Sequence, residues 1–175
     1  MNSKLIDSAV IVPIYRSEAD TLKLVLIRRS NHGIHAGQLA FPGGRYEETD
    51  DSFLMTALRE TEEEIGLKRQ DVTIITELPS IDTLATGYRI YPFLAKIVPN
   101  KKWTVQESEV DEVLEVELND LTKPEFHAEE LMQLEKWPMP VSIPYYKVGT
   151  YKLWGASYRI LNPLLPKILN GDFNI

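Results

Sequence analysis

The sequence has no cysteine, which removes disulfides, zinc–thiolate sites and a cysteine nucleophile from consideration. It also lacks any apolar run near the ~18 residues that a membrane-crossing helix needs. The opening residues, MNSKLIDSAVIVPIY, are apolar only in short pieces interrupted by Asp7 and Pro13, without the basic start and continuous apolar stretch of a secretory leader. A cytoplasmic location is expected. Basic residues are in deficit: 19 Lys and Arg face 26 Asp and Glu, for a net charge of −7. That balance argues against nucleic-acid or anionic-membrane partners, which call for a basic surface. No repeat, low-complexity tract or linker interrupts the 175 residues, which suit a single domain spanning 1–175.

What is present alternates between strand and helix patterning. Residues 8–15 and 22–28 read as strands joined by a polar turn around 17–20, and 39–41 as a short strand that Pro42-Gly43-Gly44 breaks. From Asp51 to Ile65 the period becomes helical, with Leu54, Leu58 and Ile65 on one face, N-caps available in 50–52 and Gly66 as the stop. Strands are expected at 72–78 and 89–98, and a loop then a strand across the acidic 107–118. Residues 119–135 look partly helical, 143–154 suggest a hairpin turning at Val148-Gly149, and 155–169 suggest a helix disturbed by Pro163 and Pro166. The order points to an α+β fold, a mixed β-sheet sandwiched between helices.

The chemistry concentrates in the run Arg59–Leu67 (RETEEEIGL). At 100° per residue, Glu63 and Glu64 fall roughly 60° and 40° to either side of Glu60, so these carboxylates share a face opposite the apolar stripe. Anions at i, i+3 and i+4 repel one another and titrate as a coupled set. A hard divalent cation relieves the repulsion, because Mg²⁺ binds carboxylates together with substrate phosphate. Glu62 is rotated away toward solvent, and Arg59 can pair with Glu63 one turn on. A solvated acidic face is the bland reading of such a run. Here the run ends on a glycine, follows an apolar stripe and lies shortly after a Gly-Gly turn.

In that setting Gly44–Leu67 resembles the Nudix box, G-x5-E-x7-R-E-u-x-E-E-x-G-u with u apolar. Gly44, Arg59, Glu60, Glu63, Glu64, Gly66 and Leu67 match. The first acid is Asp50 or Asp51 instead of Glu, one extra residue separates Gly44 from Arg59, and Thr61 fills a usually apolar slot. Arg29-Ser30, His35-Ala36-Gly37-Gln38, Phe41-Pro42-Gly43-Gly44, Thr49-Asp50, Thr86-Gly87-Tyr88 and Trp154-Gly155-Ala156-Ser157 further resemble the coenzyme A pyrophosphatases of that family, across residues 24–162. Asn31-His32-Gly33-Ile34 departs by lacking that subfamily's usual Arg.

The resemblance implies the α/β/α sandwich of Nudix hydrolases and Mg²⁺ or Mn²⁺ held by Glu60, Glu63, Glu64 and the Gly44 carbonyl. It also implies hydrolysis of a pyrophosphate bond in a nucleoside diphosphate derivative. Coenzyme A would give 3′,5′-ADP and 4′-phosphopantetheine; ADP-ribose or NADH are alternatives, and a Nudix-fold binding or regulatory module without catalysis is another. A general base is required, either a helix carboxylate or one from the 107–112 loop, where Glu109 is the first choice over Glu107, Asp111 and Glu112.

Other residues carry open readings. Arg28 and Arg29 meet a substrate phosphate or serve as edge-strand charges. His32 and His35 contact phosphate or are simply exposed. Arg45, next to the Gly-Gly turn, is a further phosphate contact. Tyr88, Tyr91, Trp103 and Trp154 stack on a base or belong to the core. Trp137-Pro138-Met139-Pro140 forms a lid or the contact of a homodimer.

Overall fold

The computed structural model describes residues 5–31, 36–83, 86–133 and 137–175. In chain order these form β1 (Ile6–Arg16), β2 (Leu22–Arg29), β3 (Leu39–Ala40), β4 (Gly43–Arg45), α1 (Phe53–Ile65), β5 (Val72–Glu77), β6 (Ile81–Thr83), β7 (Tyr88–Ile97), β8 (Val110–Glu117), β9 (His127–Met132), β10 (Val141–Val148), β11 (Tyr151–Leu153) and α2 (Gly155–Leu169). The first eight strands make one mixed sheet in the order β3-β2-β1-β7-β5. β4 also pairs with β1, β6 with β7 and β8 with β2, while β9, β10 and β11 form a separate antiparallel sheet. β1 and β7 run parallel, from Ile6 opposite Tyr88 to Ile14 opposite Lys96. The other pairings in the main sheet are antiparallel.

The central strands are apolar at nearly every position, which suits a sheet covered on both faces. Alternation then sorts their side chains into two cores. Ala9, Ile11, Val25, Ile27, Phe93 and Ala95 pack with Ala57, Leu58 and Ile65 of α1. Val12, Ile14, Leu24, Leu26 and Leu94 pack on the other face with Leu161, Leu164, Leu165 and Ile168 of α2, and with Tyr146 and Leu153 of the small sheet. The sheet therefore lies between two helices, as the residue pattern predicts.

Three local expectations are corrected. Gly43 and Gly44 do not break the chain but belong to β4, paired with Val10 and Ala9. Their missing side chains permit a close backbone approach that a turn reading cannot anticipate. Of the stretch expected to be partly helical, the described residues 119–133 contain only two single 3₁₀ turns, Asp120–Thr122 and Pro124–Phe126, and then strand β9. Pro124 favours a short turn, and β9 is decided by pairing with β10, a contact distant in sequence. Finally, α2 runs continuously through Pro163 and Pro166. Both prolines are exposed while Leu161, Leu164, Leu165 and Ile168 are buried, so the carbonyls that lose a donor face water and the packed side keeps the helix.

Gly43 adopts φ 145°, and a Cβ there would lie 2.3 Å from the Ala9 carbonyl oxygen and 2.6 Å from the Val10 Cα. Both are backbone atoms of the paired strand β1, which has little room to yield. Gly43→Ala is expected to cost about 3 kcal/mol or more, lowering the melting temperature by roughly 6–12 °C for a chain of this size. Differential scanning calorimetry checks this, and an unchanged transition contradicts the close β1–β4 approach.

Candidate active site

Helix α1 starts where Ser52 accepts the Met55 N–H and ends where Gly66, at φ 71°, returns its N–H to the Glu62 carbonyl. Between those caps the helix presents its carboxylates to β4. Glu64 is buried, only 1% exposed, and its Oε2 accepts the Gly43 N–H at 2.8 Å. The carboxylate of Glu60 lies against Gly44, where a Cβ would come within 2.3 Å of the Glu60 Cδ. Glycine is therefore required at 44 for the acid and the backbone to meet. Glu63 stands at the rim, its side chain half exposed. Glu62 does point away and pairs with Lys68 at 2.8 Å.

Arg59 ties these groups together. Its Nε and Nη2 donate to the two oxygens of Asp50 at 2.9 and 3.0 Å, its Nη1 donates to Glu60 at 3.0 Å and to Glu63 at 3.3 Å, and Nη2 also reaches the Arg45 carbonyl. Asp50 in turn accepts from Thr56 Oγ1 and the Glu47 N–H. Of the two acids left open by the sequence, Asp50 is thus the partner of Arg59. The guanidinium holds the Asp50 carboxyl well below the usual carboxylate range. Thr61, in the usually apolar slot, is fully buried with its hydroxyl donating to the Ala57 carbonyl at 2.7 Å. The hydroxyl is satisfied within the helix, so the core accepts it.

Burial raises the pKa of Glu64 to about 8, against the Gly43 N–H and the charge of Arg29, which lower it; the charges of Glu60 and Glu109 raise it further. Glu60 is also raised, first by burial, with Arg59 opposing and Glu63 and Glu109 adding. Arg29 and Glu109 are therefore electrostatic neighbours of the helix carboxylates.

The remaining residues singled out by sequence divide between the two faces of the sheet. Arg28 does not join Arg29. It meets Asp111 at 3.0 Å, lies 3.7 Å from Glu112 and stacks over the Tyr151 ring, whose hydroxyl donates to Glu112. Nor is it an edge-strand charge, since β2 at this point is flanked by β3 and β8. With Asp111 and Glu112 so engaged, Glu109 is the loop acid that acts on Glu60 and Glu64. Arg45 follows Gly44 in β4 opposite Ser8, so its side chain alternates to the α2 side. Tyr88 pairs with Ile6 and lies two residues before Ile90, which packs on the α2-side core. Tyr91 stacks on Phe53 with ring centroids 3.8 Å apart, so one of its faces is taken, while Trp103 packs on the α1-side core and donates to Glu115. His32 and His35 lie outside the described residues.

Sequence reading named Ser30 only as part of the Arg29-Ser30 motif, without a role, and missed Gln106. Both fasten the strand and turn that carry Glu109, and a backbone-directed polar residue leaves no periodic signal. Among the described residues no three acidic or histidine side chains converge into a ready-made metal cage. The donor set nevertheless suits a hard divalent ion: three carboxylates on one helix face, one lying on the backbone of a glycine that leaves room for it.

The match to known proteins decides the class. The NUDIX domain family matches residues 5–137. The chain belongs to the Nudix hydrolase family. It is 34% identical over 154 residues to the Nudix hydrolase NudL of Salmonella paratyphi B, and equally to that of Salmonella newport, covering 87% of this chain and 72% of theirs. Its fold is similar to a MutT/nudix family protein from Enterococcus faecalis, with TM-score 0.61 and 19% identity over 98% of this chain and 64% of that one. It is also similar to the NUDIX domain of Shewanella oneidensis NrtR, complexed with ADP ribose, with TM-score 0.53 and 17% identity over 69% and 77% of the two chains. Nudix hydrolases generally use divalent metal ions.

The side chain of Asp50 is 6% exposed and that of Arg59 26%, so removing the acid leaves a largely covered guanidinium short of its best partner. Asp50→Ala is expected to destabilise by about 2 kcal/mol, whereas Asp51→Ala, at an exposed position, should stay within about 0.5 kcal/mol. Urea denaturation of the pair checks this, and equal effects would remove the distinction between the two acids.

Proposed function

We propose that this Nudix hydrolase is a Mg²⁺- or Mn²⁺-dependent pyrophosphatase that cleaves coenzyme A to 3′,5′-ADP and 4′-phosphopantetheine. The observation that carries the pyrophosphatase reading is the Glu60 carboxylate seated on Gly44 with Glu64 buried beside Gly43. The coenzyme A assignment rests on the residues shared with that subfamily, including Arg29-Ser30, Phe41–Gly44 and Trp154–Ser157.

Glu60, Glu63, Glu64 and the Gly44 carbonyl would hold the metal, which neutralises phosphate charge and activates water. The remaining work falls to the chain. Arg59 fixes Glu60 and Glu63 through the bonds described above. Arg29, the cation beside Glu64, offsets the anionic substrate in a chain of net charge −7. Glu109 takes the proton of the attacking water, whose oxygen bonds to one phosphorus as the bridging P–O bond breaks and the other phosphate departs. Arg45 and Tyr88 have side chains turned to the α2 face, across the sheet from the carboxylates, so contact with the substrate there would require it to pass the sheet end, whereas His35 remains a candidate phosphate contact.

Glu64→Gln tests the assignment with little structural risk, because the amide oxygen can still accept the Gly43 N–H and the side chain keeps its shape. Turnover of coenzyme A with Mg²⁺ or Mn²⁺ is expected to fall on the order of 10³-fold, as when a group stabilising transition-state charge is lost. The thermal transition should be kept. Near-normal turnover would remove Glu64 from the site. Running coenzyme A, ADP-ribose and NADH side by side, with product identification, separates the coenzyme A reading from hydrolysis of another nucleoside diphosphate derivative.

A further inference from the structure

Glu109 is exposed, so packing alone does not hold it, yet its charge acts on the partly buried Glu60 and the buried Glu64. Its position must come from the backbone beneath it. The Glu109 and Val110 N–H groups both donate to the Gln106 carbonyl, at 2.8 and 2.9 Å, which closes a tight turn. That turn is fastened on two sides. The Gln106 N–H donates to the Glu64 carbonyl at 3.0 Å, joining it to the end of α1, and the Gln106 side-chain amide donates to the Glu109 carboxylate at 3.3 Å. On the other side the Ser30 N–H donates to the Glu109 carbonyl at 2.8 Å and the Ser30 hydroxyl to the Ser108 carbonyl at 3.0 Å. Ser30 is 5% exposed. It lies directly after Arg29, where the pairing of β2 with β8 shifts register. Arg28 grips Asp111 from the opposite face.

We propose that Ser30 and Gln106 are positioning residues for Glu109: Ser30 clamps two successive carbonyls of its turn to β2, and Gln106 joins the same turn to α1 and steadies the carboxylate. The turn thereby bridges the two elements that supply Arg29 and Glu64. The inference rests on the reading of Glu109 as proton acceptor in the proposed reaction. It explains a serine at position 30 by the Ser108 carbonyl that its hydroxyl holds, since the backbone N–H bond to Glu109 needs no particular side chain.

The test compares Glu109→Gln, Ser30→Ala, Ser30→Thr and Gln106→Ala in coenzyme A hydrolysis, with hydrogen exchange of the 106–110 amides as a readout independent of activity. Misplacing a reacting group by a fraction of an ångström costs of the order of tenfold or more in rate. Ser30→Ala and Gln106→Ala are therefore expected to lower kcat about tenfold at nearly constant KM, with faster exchange confined to that turn. Ser30→Thr, which keeps the hydroxyl, should restore most of the rate. If Glu109→Gln turns over normally, the proton-acceptor assignment falls and this inference with it. Where Glu109→Gln is slow but Ser30→Ala and Gln106→Ala keep wild-type kcat, the positioning role alone is overturned. A general loss of protection across the sheet, unrescued by threonine, likewise overturns it and leaves Ser30 a packing residue.

Discussion

The site depends on β4 having no side chains where α1 delivers its acids. Gly43 gives its N–H to a carboxylate that is almost wholly buried, and Gly44 leaves the space that the Glu60 carboxylate fills. A buried acid needs hydrogen-bonding partners, and the pairing of β4 with β1 holds this one in place. The same two glycines therefore set the separation between helix and sheet and the separation among the acids. Packing and chemistry share one contact.

Much of this was legible in the residues because the helix obeys a local rule. The period of Leu54, Leu58 and Ile65, the capping Ser52 and Gly66, and the 100° geometry of Glu60, Glu63 and Glu64 are properties of a short segment. The central strands announce themselves by apolar content, and their two-sided burial follows from it. What was not legible depends on distant pairing. β9 alternates weakly, with polar His127, Glu129 and Glu130 among its residues, and becomes a strand because β10 lies beside it. Gly43-Gly44 reads as a break until β1 is placed against it. Ser30 and Gln106 act through backbone carbonyls far from them in sequence or on another element, and no residue pattern marks such a bond.

Adjacent residues with the same charge illustrate the limit most sharply. Arg28 and Arg29 read alike as phosphate contacts, yet strand alternation sends them to opposite faces. Arg29 faces Glu64, while Arg28 joins Asp111 and Tyr151 and so connects the main sheet to the small one. Composition alone would assign both to substrate, yet Arg28 is already engaged by Asp111 and lies beside Glu112, although its buried Nε has no hydrogen-bond partner.

The acidic balance of the chain then acquires a physical meaning. With net charge −7, an anionic substrate is repelled at long range, and local cations must be kept from being neutralised indiscriminately by the surplus acids. Arg59 is spent on Asp50, Glu60 and Glu63, which fixes ligand geometry but leaves little charge for substrate. Arg29 forms no direct ion pair among the described residues and acts on Glu64 only at a distance. Among the described residues it is a cation near Glu64 that no ion pair engages. Under the proposed reaction, a cluster of acids held by Arg59 and flanked by Arg29 suits the joint binding of a cation and a phosphate, where either component alone would leave charge unbalanced.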